Sequence, residues 1–150
     1  MSPEVWSAAK AIILNTATGL GVSVELPNER FAPPHPPSIW ISTDLGGEAS
    51  ETIELGGLTW IERGAVWIHV MAALNIGVDL SLAYRKAFSV AFRADVPTLQ
   101  GLHWRDHSFD PLGADDGVWR RLSLAVRYEF DDRLSESALA AAELGGSGSI

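Results

Sequence analysis

Four histidines and a scatter of carboxylates are the side chains of this sequence best suited to acid–base or metal chemistry. His103 and His107 stand four apart. On a helix that spacing would suit a metal. The surrounding segment reads as a strand, where the same separation puts both on one face but about 13 Å apart, too far for one ion. Asp106 then falls on the opposite face. His35 sits among prolines and reads as a loop residue. His69 lies in a long apolar run with no acid or nucleophile close in sequence. It reads as a hydrogen-bonded, partly buried side chain, to which only folding could bring a partner. The carboxylates Glu48, Glu51, Glu54, Asp106, Asp110, Asp115 and Asp116 are spread through expected loops and read as a solvated acidic surface. The segment Asp110 to Gly117 lacks the ligand alternation and closing glutamate of an EF-hand. Gly19-Leu20-Gly21 and Gly56-Gly57 lack the context of a phosphate loop, and there is no nucleophile elbow or serine-triad signature. No catalytic residue, metal ligand or cofactor is assigned, and no enzymatic activity is expected.

Arg120 and Arg121, with Arg105 and Arg127, could form a local basic strip on the last two strands, beside Trp104 and Trp119. The chain as a whole is acidic: 11 Lys+Arg against 19 Asp+Glu, net charge -8 in 150 residues. That field disfavours a nucleic-acid surface, and intersubunit ion pairs with the acidic loops are the better reading. The absence of cysteine removes disulfides, thiol nucleophiles, iron–sulfur clusters and thiolate zinc sites. Hydrophobic content of 47% marks a folding chain. No apolar run reaches the roughly 18 residues that span a bilayer, and the N-terminus lacks a signal-peptide pattern.

The elements that must position these residues follow from periodicity. Ser2 as N-cap, Pro3 and Glu4 open a helix over residues 3–17, with Val5, Trp6, Ala9, Ile12 and Ile13 on one face and Gly19 and Gly21 as the stop. Its tryptophan reads as a packing anchor. Val22 to Leu26 is a weak strand, and five prolines between Pro27 and Pro37 make an extended loop. Ser38 to Thr43 is a compact strand. Glu48 to Glu54 is a polar loop, and Thr52 to Leu55 with Leu58 to Glu62 suggest a hairpin around Gly56-Gly57. Leu58 to Leu74 is apolar on both faces, so it is expected to be central and covered twice, or covered once and buried by a partner subunit. Gly64 suggests a bulge there. A second helix runs from Leu80 to about Arg93. Leu102 to Phe109 is a strand with Leu102, Trp104, Asp106 and Ser108 on one side. Leu122, Leu124, Val126, Tyr128 and Phe130 mark the clearest strand. The result is one α+β domain over 1–131, a mostly antiparallel sheet with two helices on one face. Residues 132–150 read as a flexible C-terminal tail.

The run Pro27-Asn28-Glu29-Arg30-Phe31-Ala32-Pro33-Pro34, followed by Ser38-Ile39-Trp40-Ile41, resembles the proline-flanked Asn-x-x-Phe-x-Pro and Trp segment of small phage tail proteins. Leu55-Gly56-Gly57, then Arg63-Gly64-Ala65-Val66, an apolar strand and Gly77 opening a helix, fit the same pattern, as does the Trp119 to Phe130 strand. Over residues 5–131 the chain resembles the tail-terminator (tail-completion) proteins of long-tailed phages and gene transfer agents. The resemblance implies a structural virion protein forming a homo-oligomeric, hexameric ring at the head-proximal end of the tail. Such a ring ends polymerisation of the tail tube protein and docks the head–tail connector or stopper, while DNA passes through the lumen without specific binding. It would be assembled in the host cytoplasm, and no membrane is involved. Candidate intersubunit or tube contacts are Glu48, Glu51, Glu54, Arg63, Arg120, Arg121 and Leu134. The alternatives are a related neck or minor tail protein, or a small-ligand-binding or enzymatic domain whose tryptophans, with His69, His103 and Asp106, line a pocket.

Overall fold

A computed structural model describes residues 1–34, 38–52, 59–110, 114–115 and 117–133. Helix α1 (Pro3–Leu20) buries Val5, Ala9, Ile13 and Ala17, one residue per turn along a single stripe. It runs three residues beyond the expected end because its stop is Gly21, not Gly19. Gly21 adopts φ 70°, and its N–H closes onto Ala17 and Thr18 carbonyls. Ser2 holds the N-cap position, yet its side chain makes no cap bond. The hydroxyl instead donates to Glu62 Oε1 at 2.6 Å.

Strand β1 (Val24–Glu25) pairs in parallel with β2 (Trp40–Thr52), which pairs antiparallel with β3 (Thr59–Ala73). Helix α2 (Val78–Ala94) follows, then β4 (Leu102–Phe109), β5 (Ala114–Asp115) and β6 (Trp119–Arg133). Among the described residues the sheet has six strands in the order β1-β2-β3-β6-β4, with β5 on β6. Every pairing is antiparallel except β1 with β2. Both helices pack on one face. Ala9, Ile13 and Ala17 of α1 and Phe88 and Phe92 of α2 share a core with Ile41, Val66, Ile68, Val70, Leu122, Leu124 and Val126. This is the α+β arrangement expected from the periodicity.

Four local expectations change. The segment beginning at Glu48 is not a loop up to Thr52: Ala49 to Thr52 continue β2, with Thr52 opposite Trp60. Backbone pairing with β3 supplies hydrogen bonds that a polar sequence does not reveal. Gly64 makes no bulge in β3, which pairs with β6 without a break. The irregularity lies on the other strand, between Gly46 and Ala49, with Gly47 at φ 67°. Gly64 instead admits the ring of Tyr128, whose Cε1 and Oη lie 2.9 Å from where a Cβ would stand. In β4 the register shifts between Trp104 and His107. The bulge inverts the alternation, so Leu102, Trp104, His107 and Phe109 align with the helix-side residues Phe130, Tyr128, Val126 and Leu124. His103 and His107 therefore take opposite faces. The expected tail also starts later, because Asp132 and Arg133 pair with Trp60 and Thr59. Residues 134–150 lie outside the described residues, as do the Gly56-Gly57 turn and His35.

The long strand is covered once. Val66, Ile68, Val70 and Ala72 face the helices, while Ala65, Trp67, His69, Met71 and Ala73 face the other way. On that second face Phe31 stacks on Trp40 with ring centroids 4.8 Å apart, and Trp40 meets Trp119 edge-on. Among the described residues no helix or second sheet lies over the rest of it.

Candidate functional site

The sheet face away from the helices holds a dense polar arrangement. At its centre β3 supplies His69, β2 supplies Asp44 and β6 supplies Ser123. The pairing puts Ser42 and Ser123 directly opposite His69, with Asp44 two residues along β2. His69 Nε2 lies 3.0 Å from Asp44 Oδ2, and Nδ1 lies 2.6 Å from Ser123 Oγ. A neutral ring protonated on Nε2 satisfies both contacts: it donates to the carboxylate and accepts from the hydroxyl. Burial pushes the imidazole below its usual range, Asp44 raises it in part, and Arg121 lowers it further. Trp67 stacks alongside the ring, with centroids 6.0 Å apart.

Composition and contacts match an acid–histidine–serine chain, but its polarity is reversed for catalysis. The nucleophile of such a chain must reach substrate. Here Ser123 is 1% exposed, while the Asp44 side chain is 64% exposed. The solvent meets the acid and the serine lies under it. What this arrangement can do is tie β2, β3 and β6 together through side chains.

Beside it lies a depression of about 420 Å³, floored by Gly46 and Ala65 and walled by Trp67 and arginines. Arg63 Nε is 3.3 Å from Glu129 Oε2, and Arg105 Nη2 is 3.6 Å from Glu129 Oε1. Arg127 Nη1 is 3.3 Å from Asp106 Oδ2 and also donates to Ser108 Oγ. These pairs are half exposed, so each contributes little to stability. Their effect is to compensate the arginines within one subunit. Arg120 and Arg121 do not act as a pair: consecutive strand residues point to opposite faces, and Arg121 is the one beside Met71 on the open face. The strip expected from Arg105, Arg120, Arg121 and Arg127 is thus split across the sheet.

A second polar node lies at the start of α1. Glu62 accepts from the Ser2 N–H at 3.0 Å and 3.1 Å, from the Ser2 hydroxyl, and from Tyr128 Oη at 2.7 Å. Partial burial raises its pKa, but the Ser2 and Tyr128 hydrogen bonds and the nearby N-terminus leave it below the ordinary carboxylate value. One carboxylate thereby fixes the helix entry to the sheet.

Of the expected contact residues, Glu48 and Glu51 lie on β2 with only their backbone described, and Glu54 and Leu134 lie outside the described residues. Arg63 and Arg121 share the uncovered face, and Arg120 does not. His69, His103 and Asp106 are not gathered around one cavity. A larger depression of about 660 Å³ is lined by Thr59, Leu99 to Gly101 and Phe130 to Arg133, none of them a tryptophan or histidine. Among the described residues no group of three His, Asp or Glu could hold a metal, and no helix is long and apolar enough to cross a membrane. The convergence of Asp44 and Ser123 on His69 escaped sequence reasoning because it depends on strand register across 25 and 54 residues. No protein-family model matches the chain, and no match to a curated protein is found.

Proposed function

We propose that this chain is a structural assembly subunit that closes into a ring at the head-proximal end of a phage-like tail tube, ending tube growth and presenting a surface to the head connector. The observation that carries the reading is the sheet with helices, among the described residues, on one face only. On the other face a row of exposed, paired arginines and the half-buried Trp67 surround Ala65, Ala73, Ala125 and Met71, which are themselves buried low between them. A face of low relief with charged groups at its rim suits a neighbouring chain, and those charges set its orientation. A heterologous contact that closes at a fixed rotation makes a ring. The resemblance in sequence order to tail-terminator proteins supplies the particular role, the hexamer and the tube and connector partners. The acidic net charge suits a channel wall that repels passing phosphate.

The test is the oligomeric state of the purified chain, read by light scattering after size exclusion and by negative-stain images with tube protein added. Rings on the ends of short tubes support the reading. A chain that stays monomeric at high concentration, with and without tube protein, overturns it.

A further inference from the structure

The opposite edge of the molecule carries a feature that ring assembly does not use. Lys86, Ser89 and Arg93 lie three and seven residues apart on α2, so they form one stripe along the helix. That stripe faces the edge strand β4. Two adjoining depressions, of about 250 Å³ and 300 Å³, run between them and share Arg93, Arg105 and His107 as lining residues. Lys86 and Ser89 border the first. The chain has only 11 cationic residues and a net charge of -8, yet three of those cations meet here.

Their partners leave this charge only partly compensated. Among the described residues neither Lys86 nor Arg93 has a carboxylate within ion-pair distance, and both are exposed. Arg105 is shared with Glu129 at 3.6 Å, a loose contact. Two carboxylates also line the depressions: Asp106, paired with Arg127, and Asp95, which accepts from the Trp104 indole N–H at 2.9 Å and keeps its charge. Ser89 Oγ and His107 Nδ1 are 2.8 Å apart, which holds the imidazole at the inner wall. His107 Nε2 is closed off from solvent and has no hydrogen-bond partner among the described residues. A cleft with room for several waters, in which two cations have no ion-pair partner among the described residues and a third is half-paired, is suited to a compact oxyanion.

We infer that the α2/β4 cleft is a phosphate-binding site, with Lys86 and Arg93 as its principal charges and Arg105 and His107 completing the wall. The phosphate could be free, or part of a nucleic-acid backbone; the chemistry of recognition is the same. The experiment titrates the full chain with inorganic phosphate at constant ionic strength, against chloride, following backbone amide shifts by NMR. A 20-base-pair duplex and a poly-glutamate peptide are run in parallel. Saturable shifts confined to residues of α2 and β4 are expected. Lys86→Ala combined with Arg93→Gln should weaken phosphate binding about tenfold or more, since two charge-assisted contacts are lost. Arg121→Gln, on the far face, should leave it unchanged. If the duplex shifts the same amides and the double variant abolishes that response, the phosphate is that of nucleic acid. If only inorganic phosphate does so, it is the free ion. Linear, unsaturated shifts spread over all cationic residues overturn the site. So does unchanged affinity in the double variant, or tighter binding of poly-glutamate than of phosphate.

Discussion

Gly64→Ala isolates a close side-chain contact within the sheet. A Cβ at this position would stand 2.9 Å from Tyr128 Cε1 and Oη and 3.1 Å from Cζ. Ordinary contact begins near 3.4 Å, so the ring must move by about half an ångström. It has little room. Tyr128 is 2% exposed, its hydroxyl is held by Glu62 at 2.7 Å, and Trp104 lies edge-on against it. Overpacking of this kind costs about 1–3 kcal/mol. Replacing a strand glycine by alanine returns roughly 0.5–1 kcal/mol of backbone entropy. The net is a loss of about 0.5–2 kcal/mol, or roughly 1–8 °C in Tm for a domain of this size. Urea unfolding at 25 °C measures it. The companion is a double-mutant cycle with Tyr128→Leu, which removes the ring. In that background Gly64→Ala should become neutral or slightly stabilising, giving a coupling energy near 2 kcal/mol. Equal effects of Gly64→Ala in both backgrounds, or a stabilised single variant, would refute the steric account.

Glu62→Ala should cost about 1–3 kcal/mol, because the buried Tyr128 hydroxyl loses its acceptor. Adding Tyr128→Phe to that variant should recover part of the loss in denaturant titrations. The depressed His69 pKa means that the unfolded chain binds more protons just below pH 6.5, so stability is full above that value and falls as pH drops through the folded pKa. His69→Gln should flatten the dependence of Tm on pH between 7 and the folded pKa, and an unchanged slope would assign it to other groups. Glu62 acts in the same direction at lower pH: its stabilising share is present above 4.5 and lost as pH falls through its depressed folded value. Gly101→Ala should destabilise strongly, since φ is 87° and the added carbon would lie 2.7 Å from the Asp131 carbonyl oxygen. Arg121→Glu should weaken self-association in light scattering while leaving the monomer's urea midpoint nearly unchanged; equal loss of both would mark Arg121 as an internal contact.

Periodicity alone determined the two helices, the long apolar strand and the final alternating strand. A buried stripe or face must recur at the period of its element, and that recurrence is visible without neighbours. The same logic made an α+β sheet with helices on one face the natural packing. Register lay beyond it. His69 obtains Asp44 and Ser123, and Glu62 obtains Ser2 and Tyr128, only when β2, β3 and β6 align at one particular offset. A one-residue bulge in β4 moves His107 from the face of His103 to the helix side and opens the cleft against Lys86 and Arg93. Slipping a strand by one residue exchanges its faces. The one-dimensional pattern therefore fixes which side chains exist, and the hydrogen-bonded pairing of strands far apart in sequence decides which of them meet.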